Sequence, residues 1–349
     1  MKEMYPALFL LLFCGIGFAQ QSDTLLAPKP FPFLVPDVLK SKVSQATYRE
    51  WLNVKASSLR KRDLRLKKPF AAATPRGVYM QKLHEAVAAA GLVDPYSGDS
   101  LRWDQIGTWD PQEAKGNPAY KRQFALLPTA DHIDPDAPML AFEICSWVSN
   151  TAKTFLTPQE FVALCRKIVE HRLAAGMAVK GSSSMVPNYE LPGYLIGVCT
   201  PAAYRKWLNT RAKQEYDRDL KLKRPCALHS SKALYKQSIH EAVCASDGKD
   251  PFTGEKLQWD RVNTWSSVAR VPRTANQEKE FSLLPTVDHI DPDSDTVGFE
   301  ICSWLVNDSK GELSAQEYVE YCRLVVAHAE GGQPQQKKGR ADHAPTNPN

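Results

Sequence analysis

The 349-residue chain contains no Cys-x-x-Cys pair, which argues against a zinc ribbon. Of its eight cysteines one lies in the N-terminal apolar run, and the odd number left argues against a dense disulfide framework. No glycine-rich phosphate loop and no dinucleotide fingerprint occurs, so nothing points to a nucleotide cofactor. The His-Glu pairs at His84 and His240 lack a second histidine four positions on, where Ala88 and Cys244 stand. They do not form a metalloprotease helix and read as packed or capping histidines. After residue 18 no stretch is apolar enough to cross a bilayer. A strong charge of one sign is also missing: the net +5 permits a polyanionic partner without demanding one, so the placement of the basic residues matters more than their sum.

What is present begins with a leader. One lysine precedes an apolar run over residues 5–18, and Gly17 and Ala19 supply small residues at a cleavage position. This is the pattern of a secretory signal peptide ending at residue 19, which predicts an exported (periplasmic or secreted) protein with no stable membrane association after cleavage. With a different start codon the chain is cytoplasmic.

Most of the remainder is one unit written twice. Residues 47–69 match 203–225, "YMQKLHEAV" matches "YKQSIHEAV", and "DPYSGDSLRWDQIGTW" matches "DPFTGEKLQWDRVNTW". Trp51 and Trp207 lie 156 positions apart, and His132 and His289 lie 157 apart, so one residue is inserted between them. A period this long predicts two tandem domains rather than a solenoid. The expected boundaries are a leader segment over 20–35, a first unit over 36–172, a linker over 173–187, a second unit over 188–329 and a polar tail over 330–349. Cys145 and Cys165 recur as Cys302 and Cys322 at equal spacing. They read as small buried hydrophobes, with a disulfide inside each copy as the rival in an exported protein.

Each unit reads as α+β. Thr200 before Pro201 is a helix start, and Tyr204, Trp207, Leu208 and Ala212 fall at helical spacing through Leu222. A short helix carries Tyr235 and Val243. "DPFTGEKLQW" predicts a turn at Gly254 leading into a short strand. "FSLLPTVDHIDPD" predicts a strand running into a loop, and "GFEICSWLVN" a strand entering a helix. Ser314 with Glu317, and Thr157 with Pro158, start the final helices.

Four polar residues keep their order in both copies: Asp131, His132, Asn150 and Lys153, then Asp288, His289, Asn307 and Lys310. A hairpin would bring Asp, His and Asn together. Such a group suits phosphodiester hydrolysis with one metal. Asp and Asn are oxygen ligands of the kind Mg²⁺ prefers. A histidine can take a proton from water near neutral pH, and a lysine can meet a phosphate oxygen.

This order resembles the HNH, or ββα-metal, endonucleases, and within them the Asp-His…Asn subgroup found in nuclease domains of RNA-guided effectors. The likeness runs from the "DPYSG" or "DPFTG" turn to the last helix of each copy. It implies a divalent metal, Mg²⁺ or Mn²⁺, on Asp131 and Asn150 and on Asp288 and Asn307. It implies a general-base role for His132 and His289, and matches Lys153 and Lys310 to an Asn-x-x-Lys variant. Many such proteins brace the hairpin with two CxxC zinc pairs. Here only Cys145 and Cys302 remain, Val148 and Leu305 stand at the partner position, and the first pair is replaced by the "DPYSG" and "DPFTG" turns. The segment between His and Asn is also shorter and lacks the common Gly-Gly turn. No structural zinc is expected, and apolar packing is expected to hold the hairpin.

Positive charge gathers after the long helix of each unit: Arg60, Lys61, Arg62, Lys67 and Lys68, then Arg218, Lys221, Lys223 and Arg224. These predict a phosphate-contacting patch, against the alternative of a solvated face with Arg-Asp pairs. Asp134 and Asp291 read as turn residues before proline, and the tryptophans as core. The expectation is a metal-dependent endonuclease whose partner is nucleic acid, DNA favoured over RNA, with no small-molecule cofactor. The rivals are a nucleic-acid-binding protein without catalysis and an exported structural protein.

Overall fold

The computed structural model describes residues 32–115, 117–175, 189–264 and 274–331. The expected signal peptide, most of the linker and nearly all of the tail lie outside the described residues. None of the described helices is long and apolar enough to cross a membrane.

The chain is α+β, and its two copies repeat the same element order apart from one short helix added in the second. In the first, α1 (Gln45–Arg65) and α2 (Arg76–Ala90) pair, and a short α3 (Pro118–Gln123) follows. Then come the hairpin β1 (Pro128–His132) and β2 (Phe142–Ser146), α4 (Trp147–Lys153) and α5 (Pro158–Ala175). The second copy runs α6 (Pro201–Leu222), a four-residue α7 (Pro225–Leu228), α8 (Lys232–Ala245) and α9 (Ala275–Lys279). It continues with β3 (Pro285–His289), β4 (Phe299–Ser303), α10 (Trp304–Lys310) and α11 (Ala315–Ala329). Local chemistry places the ends. Thr200 accepts from Ala203 N ahead of Pro201, and Ser314 and Glu317 form a reciprocal capping box. Ser146 and Ser303 cap the helices that leave β2 and β4.

The register of both hairpins is identical. Asp131 faces Glu143 and His132 faces Phe142, and Asp288 and His289 face Glu300 and Phe299. Side chains alternate along a strand, so the adjacent Asp and His leave opposite faces of the hairpin. The strand expected after the "DPYSG" and "DPFTG" turns is absent. A single bridge, Val93 with Ser100 or Lys249 with Lys256, closes each turn, and a 3₁₀ turn over Trp103–Gln105 or Trp259–Arg261 follows. Arg102 N instead bonds to Leu126 O, and Gln258 N to Leu283 O, so the segment turns away before a ladder forms.

The hairpin is held by more than the expected apolar packing. Asp94 is fully buried; its Oδ1 accepts from Tyr96 N and Ser97 N, while its Oδ2 accepts from Ser146 N at 2.5 Å and Ser149 Oγ at 2.8 Å. Asp250 repeats this with Phe252 N, Thr253 N and Ser303 N. One carboxylate thus ties the turn to the start of the helix after the hairpin.

The described residues form three apolar clusters. One belongs to each copy, around Trp51 and Trp103 and around Trp207 and Trp259. The third is shared: Phe161, Cys165 and Ile168 of α5 lie with Tyr318, Cys322 and Val325 of α11. Ser149 Oγ meets Tyr321 OH at 2.7 Å, Ser309 Oγ donates to Ala152 O at 2.5 Å, and Lys121 pairs with Glu312 at 2.7 Å across the same junction. The described cysteines are all free thiols, Cys244 alone being exposed. Cys145, Cys165, Cys302 and Cys322 are core residues, and neither copy carries an internal disulfide.

Candidate functional site

Each copy gathers its polar residues into two groups, one on either face of the hairpin. The first centres on the histidine. His132 is 5% exposed, tilted against Phe142 and Phe70, and faces the end of α1. There Asp63, fully buried, lies 3.2 Å from His132 Nε2, and the Tyr79 hydroxyl donates to the same Asp63 oxygen at 2.9 Å. Arg62 donates to His132 Nδ1 at 2.8 Å. A guanidinium has no lone pair to accept with, so Nδ1 accepts and the ring proton sits on Nε2, pointing at Asp63.

The second copy builds the same cluster. Asp219 Oδ2 lies 2.8 Å from His289 Nε2 and accepts from Tyr235 at 2.8 Å. Two guanidiniums serve Nδ1, Arg224 at 2.9 Å and Arg218 at 3.3 Å. Burial pushes the Asp219 carboxyl up, but the His289 bond with Arg224 and Arg218 outweighs it, and the group titrates below its ordinary value.

The second group lies on the other face. Lys153 Nζ stands 2.9 Å from Asp131 Oδ2 and donates to the carbonyls of His132 and Leu156. Lys310 stands 3.1 Å from Asp288 Oδ2 and donates to Leu313 O. The two lysines are 1% and 3% exposed, enclosed rather than presented to a ligand. Burial raises the Asp288 carboxyl above its ordinary value even against Lys310. Asn150 and Asn307 are half-buried on α4 and α10, and Asn307 Nδ2 reaches Val287 O at 3.5 Å.

The donor types expected for a divalent metal are therefore present, but their arrangement does not fit one. Mg²⁺ takes hard oxygen ligands and keeps several waters. Here an ammonium already stands against each carboxylate, in a place closed to solvent. The structure unites Asp131 with Lys153, and it sends His132 to a different set of partners.

The basic stretch divides in the same manner. Arg62, Arg218 and Arg224 turn inward onto the histidines. Arg60 donates to Thr74 O, and Lys68 lies 3.9 Å from Asp136. Lys61, Lys67, Lys221 and Lys223 are exposed. Asp134 and Asp291 close turns by accepting from Asp136 N and Asp293 N. His84 and His240 pack inside, bonded to Tyr48 and Tyr204.

Sequence reasoning passed over Asp63 and Asp219, together with Tyr79 and Tyr235. A signal for the aspartates existed. Leu52, Ala56, Leu59 and Asp63 fall on one stripe of α1, as Leu208, Ala212, Glu215 and Asp219 do on α6, so each aspartate occupies a core position. A buried carboxylate requires a partner, and a histidine at a strand end can supply it. No family model, curated protein or solved structure matches this chain, so the site stands on its own geometry.

Proposed function

We propose that this chain cleaves nucleic-acid phosphodiesters, DNA in preference to RNA, with His132 and His289 as general bases. One observation carries the reading: in both copies a histidine has Nε2 tied to a buried aspartate and Nδ1 covered by an arginine at the end of a basic helix. An arginine that moves from Nδ1 to a phosphate oxygen neutralises the substrate's charge and uncovers the lone pair that accepts a proton from the attacking water. Asp63 or Asp219 then stabilises the imidazolium and keeps the ring oriented. The exposed Lys61, Lys67, Lys221 and Lys223 supply sequence-independent phosphate contacts. The ββα order agrees with the family resemblance. The metal expected from that resemblance enters no step here, because Lys153 and Lys310 hold the carboxylates that would bind it.

A second reading, binding without cleavage, is favoured by the closure of the site: both ring nitrogens are engaged and the aspartates on the far face are ion-paired. Plasmid nicking by the full chain in Mg²⁺, in Mn²⁺ and in chelator separates the two. The expected result is nicking that His132→Ala with His289→Ala abolishes while salt-sensitive DNA binding remains. Nicking that survives the double variant removes the histidines from the chemistry, and binding with no nicking under any condition establishes the second reading.

A further inference from the structure

The two histidine clusters differ at one position that changes their chemistry. After the proline that both copies share, Pro69 or Pro225, the first copy has Phe70 and the second has Cys226. Phe70 lies against His132, with ring centroids 6.3 Å apart. Cys226 instead brings a sulfur to the cluster: one ligand atom each from Asp219, Cys226 and His289 lies within 4.8 Å of the others, and all three residues are buried. Tyr235 joins the set, its hydroxyl 3.4 Å from Cys226 Sγ and 2.8 Å from Asp219 Oδ2.

We propose that the second copy, and not the first, binds one thiophilic divalent cation, Zn²⁺ in the first instance, through Asp219, Cys226 and His289. Thiolate, imidazole and carboxylate together are the donor set of zinc, whereas magnesium and calcium take oxygen alone. Zinc bond lengths of about 2.0–2.3 Å put tetrahedral ligands about 3.3–3.8 Å apart, so the cluster has only to contract slightly around the ion while the Asp219–His289 gap opens. Three protein ligands leave a fourth position, beside the Tyr235 hydroxyl, for that oxygen or a water.

The charges and protons balance. The ion replaces the Cys226 thiol proton, which leaves to solvent, and the Nε2 proton of His289, which moves to Nδ1 so that the ring stays neutral. One thiolate and one carboxylate then neutralise the dication. With that proton on Nδ1, Arg224 and Arg218 must withdraw from it, since donors would otherwise oppose a donor; Arg218, with its side chain 45% exposed, has room to turn away, and Arg224, only 11% exposed, has to shift onto Asp219 Oδ1, 3.4 Å from it. Release of the thiol proton makes the affinity rise with pH.

A zinc-loaded second copy carries its proton on Nδ1 and leaves the general-base role to His132 of the first; the test is metal content rather than cleavage, so its outcome is independent of the proposed nuclease reading. The full chain, equilibrated with Zn²⁺ alone and desalted, is expected to retain about one ion per chain. Loaded with Co²⁺ it is expected to show a sulfur-to-cobalt charge-transfer band. Cys226→Phe copies the residue of the first site and keeps a fold that the first copy already shows to accept it; it is expected to lose both signals. His289→Gln, which keeps a polar side chain, is expected to lose at least tenfold in affinity. Phe70→Cys is expected to raise the content to about two per chain, because Asp63 and His132 are already in place. A wild-type chain that retains no zinc overturns the proposal. So does a Cys226→Phe variant that keeps the wild-type content and cobalt spectrum, which would put the ion elsewhere.

Discussion

The first and second copies share their backbone plan but not the way they neutralise buried charge. At the histidine, the first copy uses one guanidinium, Arg62, and the second uses two, Arg218 and Arg224. The residue matching Arg224 is Lys68, which turns to Asp136 instead of His132. On the opposite hairpin face the order reverses. In the first copy the Tyr96 hydroxyl donates to Glu143; the second has Phe252 at that position, and Glu300 Oε1 is buried without a hydrogen bond. Burial, with Asp288 beside it, pushes Glu300 up to about 7. The comparison teaches that duplication preserved the acidic residues of both faces while their supporting groups drifted.

The largest expected effect tests the histidine face. Asp219→Ala leaves His289, Tyr235 and two guanidiniums around a missing anion and is expected to cost about 3–5 kcal/mol. Asp63→Ala strands Tyr79, His132 and one guanidinium, and the expected loss is smaller, about 2–3 kcal/mol. Urea midpoints in the presence of chelator measure both. Equal losses would show that the second arginine adds nothing. The pH sign follows from the depressed Asp219 carboxyl. Its contribution is complete above the ordinary carboxylate range and disappears as pH falls through the lower folded value, so the Asp219→Ala deficit should shrink in acid.

The next effect tests the other face with reciprocal exchanges. Phe252→Tyr gives Glu300 the donor its counterpart has and is expected to add about 1.5–3 kcal/mol at pH 8. A raised carboxyl loses stability as pH climbs from its unfolded value, near 4.5, to its folded value, about 7. The gain should therefore be present above that window and vanish below it. Arg172, seated over the Phe252 ring, Lys310 and Asp250 face the same carboxylate and are unchanged by the substitution. Tyr96→Phe is expected to lose a similar amount from the first copy. Stability curves against pH for the two variants should bend in opposite directions, and parallel curves would break the comparison.

How far these features were legible in the sequence depended on their range. Helix starts are local chemistry, and Thr200-Pro201, Ser314 with Glu317 and Thr157-Pro158 could be read directly. The strand–strand–helix order followed from short apolar runs bounded by proline and serine. The shared core did not, because the apolar stripes of α5 and α11 look the same whether a neighbour in their own copy or the other copy covers them. Lys153 and Lys310 read as phosphate contacts since lysine is rarely enclosed unless paired, and the pairing with Asp131 and Asp288 depends on a hairpin register that one sequence does not display. Asp63 was visible as a core position but was masked by its basic neighbours.

The smallest expected effect tests the turn after α4 and α10, where different residues meet one backbone requirement. Thr154 has φ 53° and ψ −118°, and its counterpart Gly311 has φ 55° and ψ −121°. Glycine takes this conformation freely, whereas a β-branched residue there carries strain of about 1–3 kcal/mol. The Thr154 hydroxyl is also buried without a hydrogen-bond partner. Thr154→Gly removes both penalties and gives back about 0.4–1 kcal/mol through the freer unfolded chain, for an expected net gain near 1 kcal/mol. Gly311→Ala imposes the strain and sets a methyl 3.2 Å from Thr151 Cγ2, a contact from the other copy, so it is expected to destabilise. Thermal midpoints should move in opposite directions for the two variants. A downward shift for Thr154→Gly would mean that the threonine's packing outweighs its backbone, and that the two turns, alike in dihedral angles, are held by different forces.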